Sequence, residues 1–382
     1  MGRYLNSMVP FEAWKQISGT RFFVDKTALL EDVINAAEID GQKFLCITRP
    51  RRFGKSVMAD MVGAFLGKAS DSGIFHSLAI TENENCRRHL NQHNVIFIDF
   101  SRAPRNCSSF QQYINRIQDG INQDLEEAYP EAGIDVSGTV WDNLLTVFEK
   151  TKETFVFVID EWDAVFHMPF ISKDEQQEYL IFLKNLLKDQ VYAELAYMTG
   201  VLPIAKYSSG SELNMFAEYD MTVMERFSSY FGFTEKEVDR LFEIYLKTTK
   251  NPKISREDLK IWYDGYHTAS NERLYNPRSV VCALANNQLA NYWTSSGPYD
   301  EIFFYIKNNL ELVRDDLVLM TAGGGAEAKI QNYAAASMEL NTKDEIYSAM
   351  VIYGLLTYVD GEVFIPNKEL MDIFQELSIN KG

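Results

Sequence analysis

Three consecutive residues, Gly54-Lys55-Ser56, have the side chains needed to hold a phosphate. A glycine lets the backbone approach the anion, a lysine reaches the β- and γ-phosphates, and a serine hydroxyl ligates Mg²⁺. The common loop of this kind reads G-x-x-x-x-G-K-[ST], yet Arg49 stands where the first glycine belongs. Further along, the apolar run Phe155 to Ile159 ends in Asp160-Glu161. A carboxylate there can hold the Mg²⁺ of a nucleoside triphosphate, and a second can polarise an attacking water. Arg49, Arg51, Arg52 and Lys55 cluster in one short segment, concentrating positive charge in a chain whose net charge is −17. A polyphosphate needs that concentration, because the summed field of such a chain repels it.

The flanking elements must place these groups. Lys43 to Thr48 reads as a short buried strand. After the loop, Val57, Met58, Met61, Val62, Phe65 and Leu66 recur with helical spacing, and Gly67 suits a helix C-terminal cap. Lys55 and Ser56 then fall at a helix N-terminus, where free backbone N–H groups and the helix dipole attract anions. Phe155 to Ile159 has the continuous apolar pattern of a strand buried on both faces, as in a parallel sheet. Further strands are expected at Asn94 to Phe100, Glu194 to Thr199 and Tyr219 to Val223, with helices over 110–129, 141–151 and 175–188. This alternation predicts an α/β fold with a doubly wound parallel sheet. Ligands of such sheets bind outside the C-terminal ends of the strands. Thr199 lies at one such end, with two readings: a γ-phosphate sensor or a capping hydroxyl.

A set of ordered segments resembles the bacterial AAA-ATPase-like family, a divergent branch of the P-loop ATPases. They are Phe23-Val24-Asp25-Lys26-Thr27, the loop Thr48 to Ser56, Ile159-Asp160-Glu161-Trp162-Asp163 and Thr199-Gly200-Val201-Leu202. Gly232 to Glu237, Trp262-Tyr263-Asp264-Gly265-Tyr266 and Tyr275-Asn276-Pro277 follow. The family loop itself reads R-P-R-R-F-G-K-[ST], so the resemblance makes this a Walker A equivalent, containing Arg51, Arg52 and Phe53. It implies ATP and Mg²⁺ as cofactors. Gly54, Lys55 and Ser56 would hold phosphates and metal, Asp160 would be the Walker B aspartate, and Glu161 the catalytic glutamate of an ATP hydrolase. Arg51 and Arg52 have two readings, phosphate contacts or ion pairs with acids of the same domain. By analogy Phe23 to Thr27 packs near the adenine. Members often continue into a restriction-endonuclease-like nuclease, and no acidic pair followed by Glu-x-Lys is recognisable after residue 300.

Pattern and resemblance together divide the chain into a P-loop core over 1–232, a helical lid over 233–300 and a C-terminal α/β region over 301–382. In the lid, Thr234 and Glu237 form a capping box. The aromatic group around Gly265 reads as small-domain core rather than a base-stacking platform. Asp360-Gly361 signals a hairpin, and a winged-helix-like end is one reading of that region. Cys86, His89 and His93 have zinc-like spacing, but residues of an amphipathic helix are the better reading. Four cysteines without a C-x-x-C pair suit a reduced, cytoplasmic setting. No apolar run is long enough to span a membrane. The charge gives no support to nucleic-acid binding. Arg226 and Arg240 are candidates for an arginine acting on the transferring phosphoryl group, with a homo-oligomer as its setting. The alternatives to an ATPase that couples nucleotide state to conformational change are a low-turnover nucleotide switch or scaffold and a regulatory module of a nucleic-acid enzyme.

Overall fold

The computed structural model describes residues 2–68, 71–104, 106–204, 212–294, 300–330 and 342–379. They fall into two compact units. One comprises Met1–Ile47, Lys55–Gly200 and Gly210–Glu218; the other comprises Thr48–Gly54, Val201–Ser209 and Tyr219–Gly382.

The first unit is built on the apolar runs. Five strands form one sheet: β1 (Phe44–Thr48), β2 (Asn94–Asp99), β3 (Phe155–Asp160), β4 (Ala193–Gly200) and β5 (Ala217–Tyr219), in the order β2-β3-β4-β1-β5. The sheet is all-parallel. Every residue of β1 and β3 is buried, as their unbroken apolar sequences require in a sheet covered on both faces. The register pairs Ile98 with Ile159 and Asp99 with Asp160, so two strands end side by side in an aspartate. Helices cross between the strands at Lys55–Leu66, Phe110–Ala128, Val140–Thr151 and Lys173–Leu187. Their starts follow the local rules. Ser109 and Thr139 each accept a first-turn amide, and Ser172 with Glu175 closes a capping box. The result is the expected α/β architecture, a parallel sheet with helices crossing between its strands.

Two expectations are corrected. The fifth strand ends at Tyr219 rather than running to Val223, because the Asp220 carboxylate accepts the amides of Thr222 and Val223 and turns the chain. Cys86, His89 and His93 do not share a helix face. The helix there covers only Glu84–Arg87, and the chain then turns. His89 Nδ1 lies 3.0 Å from His93 Nε2, while Glu38 and Glu194 pair with the outer nitrogens at 3.3 and 2.9 Å. Among the described residues no group of three His, Cys, Asp or Glu side chains is placed to hold a metal ion.

The second unit is mainly helical. Glu235–Thr248 starts at the expected capping box of Thr234 with Glu237. Arg256–Tyr263, Pro277–Asn286, Asp300–Thr321, Lys343–Tyr353 and Lys368–Ile379 follow. Thr357–Val359 and Glu362–Phe364 form the expected hairpin, with Asp360 and Gly361 both at positive φ (49° and 93°). Ala326–Glu327 adds a third antiparallel strand. All four cysteines are free, and no described helix is long and apolar enough to cross a membrane.

Candidate functional site

The helix Lys55–Leu66 begins at Lys55, directly after Gly54. Gly54 has φ +88°, a left-handed conformation that side-chain-bearing residues rarely adopt. Arg52 adopts φ 75° as well, so the loop bends twice in the left-handed region just before the helix. Lys55 is buried, whereas Ser56 is exposed at the residue level. The Ser56 side chain hydrogen-bonds Asp160, the last residue of β3. Helix start and strand end thus meet through the two side chains that the sequence assigns to the metal.

The electrostatics around this meeting point are lopsided. Burial pushes the Asp160 carboxyl up to about 7, and Glu161 adds repulsion; the Ser56 hydrogen bond and Lys55 oppose the rise without cancelling it. Asp60, on the same helix, is pushed up to about 8, by burial first and then by Asp160, with Arg102 opposing. Asp99 adds to both shifts while its own carboxylate accepts Arg102 Nε at 2.6 Å. Sequence reasoning missed Asp60 and Asp99. A signal existed for each: β2 and β3 both end in Ile-Asp, and Asp60 follows Ser56 by one helical turn. The oxygen-only donor set of Ser56 and Asp160, in a region with surplus carboxylate, suits Mg²⁺, which binds through one or two carboxylates plus substrate phosphates.

Glu161 sits at φ 50°, and its amide donates to Asp160 Oδ1 at 3.0 Å. A glutamate held in the left-handed region costs free energy. The next residues form the short turn Trp162–His167, with Trp162 and Asp163 buried. They pack on Gly200 at the end of β4: a Cβ there would lie 2.4 Å from Trp162 Cδ1 and 2.5 Å from Asp163 Oδ1. Beside it Thr199 is fully buried, and its hydroxyl has no hydrogen-bond partner among the described residues. The capping reading of Thr199 therefore has no backbone amide to support it among the described residues. A buried orphan hydroxyl is costly, and a bound ligand would satisfy it.

The first part of the loop belongs to the second unit. Arg49, at the missing-glycine position, is 1% exposed, and it donates to the Tyr219 carbonyl at 3.0 Å and to Ser228 Oγ at 3.1 Å. Phe53 is 1% exposed. Arg52 lies within the electrostatic reach of the buried Glu369. Arg51 is half-buried and has no hydrogen bond or ion pair among the described residues. Arg240 is exposed on the helix Glu235–Thr248, and Arg226 lies over the Phe227 ring. In Phe23 to Thr27, Asp25 accepts the Thr27 and Ala79 amides, and Thr27 Oγ1 accepts that of Ile80. That segment is thus a cross-linked turn of the first unit.

A protein of Azotobacter chroococcum described as an uncharacterized protein in the vnfD 5′ region is 26% identical over 293 residues, 72% of this chain and 51% of that relative. The chain therefore spans about half the length of the curated relative it matches. Among solved structures, the Walker-type ATPase of Pyrococcus abyssi is similar at 12% identity and a TM-score of 0.44, covering 92% of this chain and 94% of that one. The Aeropyrum pernix ORC2 protein, solved as ADPNP–ADP complexes, is similar at 11% identity and a TM-score of 0.38, with 93% of each chain covered. The model of the Predicted AAA-ATPase family matches residues 11–209, more than half of the chain and all of the elements that carry Lys55, Ser56, Asp160 and Thr199, and this chain belongs to that family.

Proposed function

We propose that this chain binds ATP at the loop ending in Gly54-Lys55-Ser56 and hydrolyses it in a Mg²⁺-dependent reaction that couples nucleotide state to a conformational change. The observation that carries the reading is the Ser56-to-Asp160 hydrogen bond at the start of a helix that follows a left-handed glycine. Lys55 and the first backbone amides of the helix bind the phosphates, and Arg51 and Arg52 add positive charge at the loop. Phe53 and Gly54 contribute loop backbone. Ser56 and Asp160 hold Mg²⁺, which neutralises charge developing on the phosphate oxygens when bound. Glu161 orients the attacking water and draws off its proton, and Thr199 donates its unpaired hydroxyl to the γ-phosphate or that water.

Steady-state release of phosphate from ATP tests the reading, with and without Mg²⁺, in the intact chain and in Glu161→Gln. The expected result is Mg²⁺-dependent turnover that Glu161→Gln reduces by roughly 100-fold or more while ATP binding persists. Full turnover in Glu161→Gln would remove that residue from the chemistry. Absence of turnover in the intact chain, with ATP bound, would leave a nucleotide switch.

A further inference from the structure

Arg49, Pro50 and Phe53 of this loop each have a partner in the second unit. Besides its hydrogen bonds, Arg49 lies over the Phe231 ring at 5.0 Å. Pro50 meets Gly354, the left-handed cap of the helix Lys343–Tyr353, so closely that a Cβ on Gly354 would lie 2.7 Å from Pro50 Cβ. Phe53 presents its ring to Tyr266 edge-to-face, with centroids 4.9 Å apart and planes at 86°. Tyr266 in turn donates its hydroxyl to the Gly354 carbonyl at 3.0 Å. One buried side chain therefore touches both the ring of Phe53 and the glycine that packs on Pro50.

Tyr266 ends the motif Trp262-Tyr263-Asp264-Gly265-Tyr266, for which nucleotide chemistry has no use. The rest of the motif serves to place it. Asp264 pairs with Arg273 at 2.8 Å, on the strand that pairs with Tyr266–His267. Gly265 has φ +107°, and a Cβ there would lie 1.9 Å from the Pro366 carbonyl oxygen, so no other residue fits. Gly232 also has positive φ and leaves only 3.3 Å between an added Cβ and the Phe53 ring.

We propose that Tyr266 is a positioning residue for the phosphate loop: its ring seats Phe53, and its hydroxyl holds Gly354 against Pro50, fixing the backbone that leads into Gly54 and Lys55. The inference rests on the reading of that loop as the nucleotide site. A glycine-rich loop is flexible and is ordered by its ligand. This loop is ordered beforehand by side-chain anchors, which lowers the entropy lost on binding. Loosening the seat therefore weakens nucleotide binding although Tyr266 touches no nucleotide.

The test is ATP titration of Phe53→Ala, Tyr266→Ala, the double variant and Lys55→Ala, each checked by thermal unfolding without nucleotide. Phe53→Ala and Tyr266→Ala should each weaken binding by roughly 3- to 10-fold. The double variant should be no weaker than the worse single, because both remove one contact. Tyr266→Phe keeps the ring and should fall between the intact chain and Tyr266→Ala. With Phe53→Leu it serves if the alanine variants do not fold. Unchanged affinity in folded seat variants, or strictly additive losses, would overturn the proposal while Lys55→Ala still loses binding. A folded Lys55→Ala that binds normally would instead overturn the phosphate-loop reading and the seat with it.

Discussion

Thr199 is where one residue's burial and its lack of a partner make the sharpest statement about the site. An unsatisfied buried hydroxyl costs about 1–3 kcal/mol. On the proposed reading a ligand completes it at the end of β4, beside Gly200. Thr199→Val keeps the shape and removes the hydroxyl. The ligand-free variant should unfold at the same or a higher denaturant concentration, while ATP turnover falls roughly tenfold or more. Lower stability with unchanged turnover would make Thr199 a structural residue only. The placement of Lys55, Ser56, Asp160 and Glu161 was legible in the sequence because it is local: each lies next to the end of a strand or start of a helix that its own neighbours specify. Arg49 was not legible. Its hydrogen-bond partner Tyr219 is 170 positions away, and nothing near Arg49 announces a buried guanidinium.

At the scale of elements, the turn Trp162–His167 that follows β3 lies on Gly200 at the end of the paired strand β4. Gly200→Ala would place a methyl 2.4 Å from the Trp162 ring. Overpacking of this kind costs about 1–3 kcal/mol, and a chemical-denaturation midpoint lowered accordingly is the expected result. The helix Lys368–Ile379 carries a different marker. Glu369 is fully buried, yet it accepts Ser279 Oγ and the amides of Tyr292 and Trp293. Burial prevails over these donors and over Arg52, pushing the carboxyl up from 4.5 to about 7. The sign follows from linkage: the folded state keeps a proton that the unfolded chain has lost, so the contribution of neutral Glu369 is complete below about pH 4.5 and is lost as pH rises to about 7. Within that window Glu369→Gln should flatten the pH dependence of unfolding by up to about 1.4 kcal/mol per pH unit. An identical slope in the variant would show that Glu369 titrates normally. Strands β1 to β4, the Thr234-Glu237 capping box and the Asp360-Gly361 hairpin were readable, since periodicity and turn chemistry determine them. The reach of the fifth strand was not, because the Asp220 side chain overrides the β-forming residues after it.

Across the whole molecule, the net charge of −17 sets the background against which the loop's arginines and Lys55 act. Long-range repulsion of a polyphosphate is screened by salt, so ATP association should quicken as ionic strength rises from low values, the opposite of a basic nucleotide site. Stopped-flow association rates between about 20 and 200 mM salt check this; a rate that falls with salt would show that local positive charge dominates the approach. The exposed Arg240 is the kind of residue that a second copy could present to a transferring phosphoryl group. In that case specific activity rises with protein concentration, and a flat value from a monomer by light scattering leaves the arginine to be supplied within the chain. Every part of the account depends on Lys55 binding phosphate. Calorimetric titration of the intact chain and of Lys55→Ala with ATP and Mg²⁺ tests this most directly. The account predicts a folded variant whose affinity is weaker by roughly 10- to 150-fold, the loss of one charged hydrogen-bonding partner. A folded Lys55→Ala that binds ATP as tightly as the intact chain would contradict it.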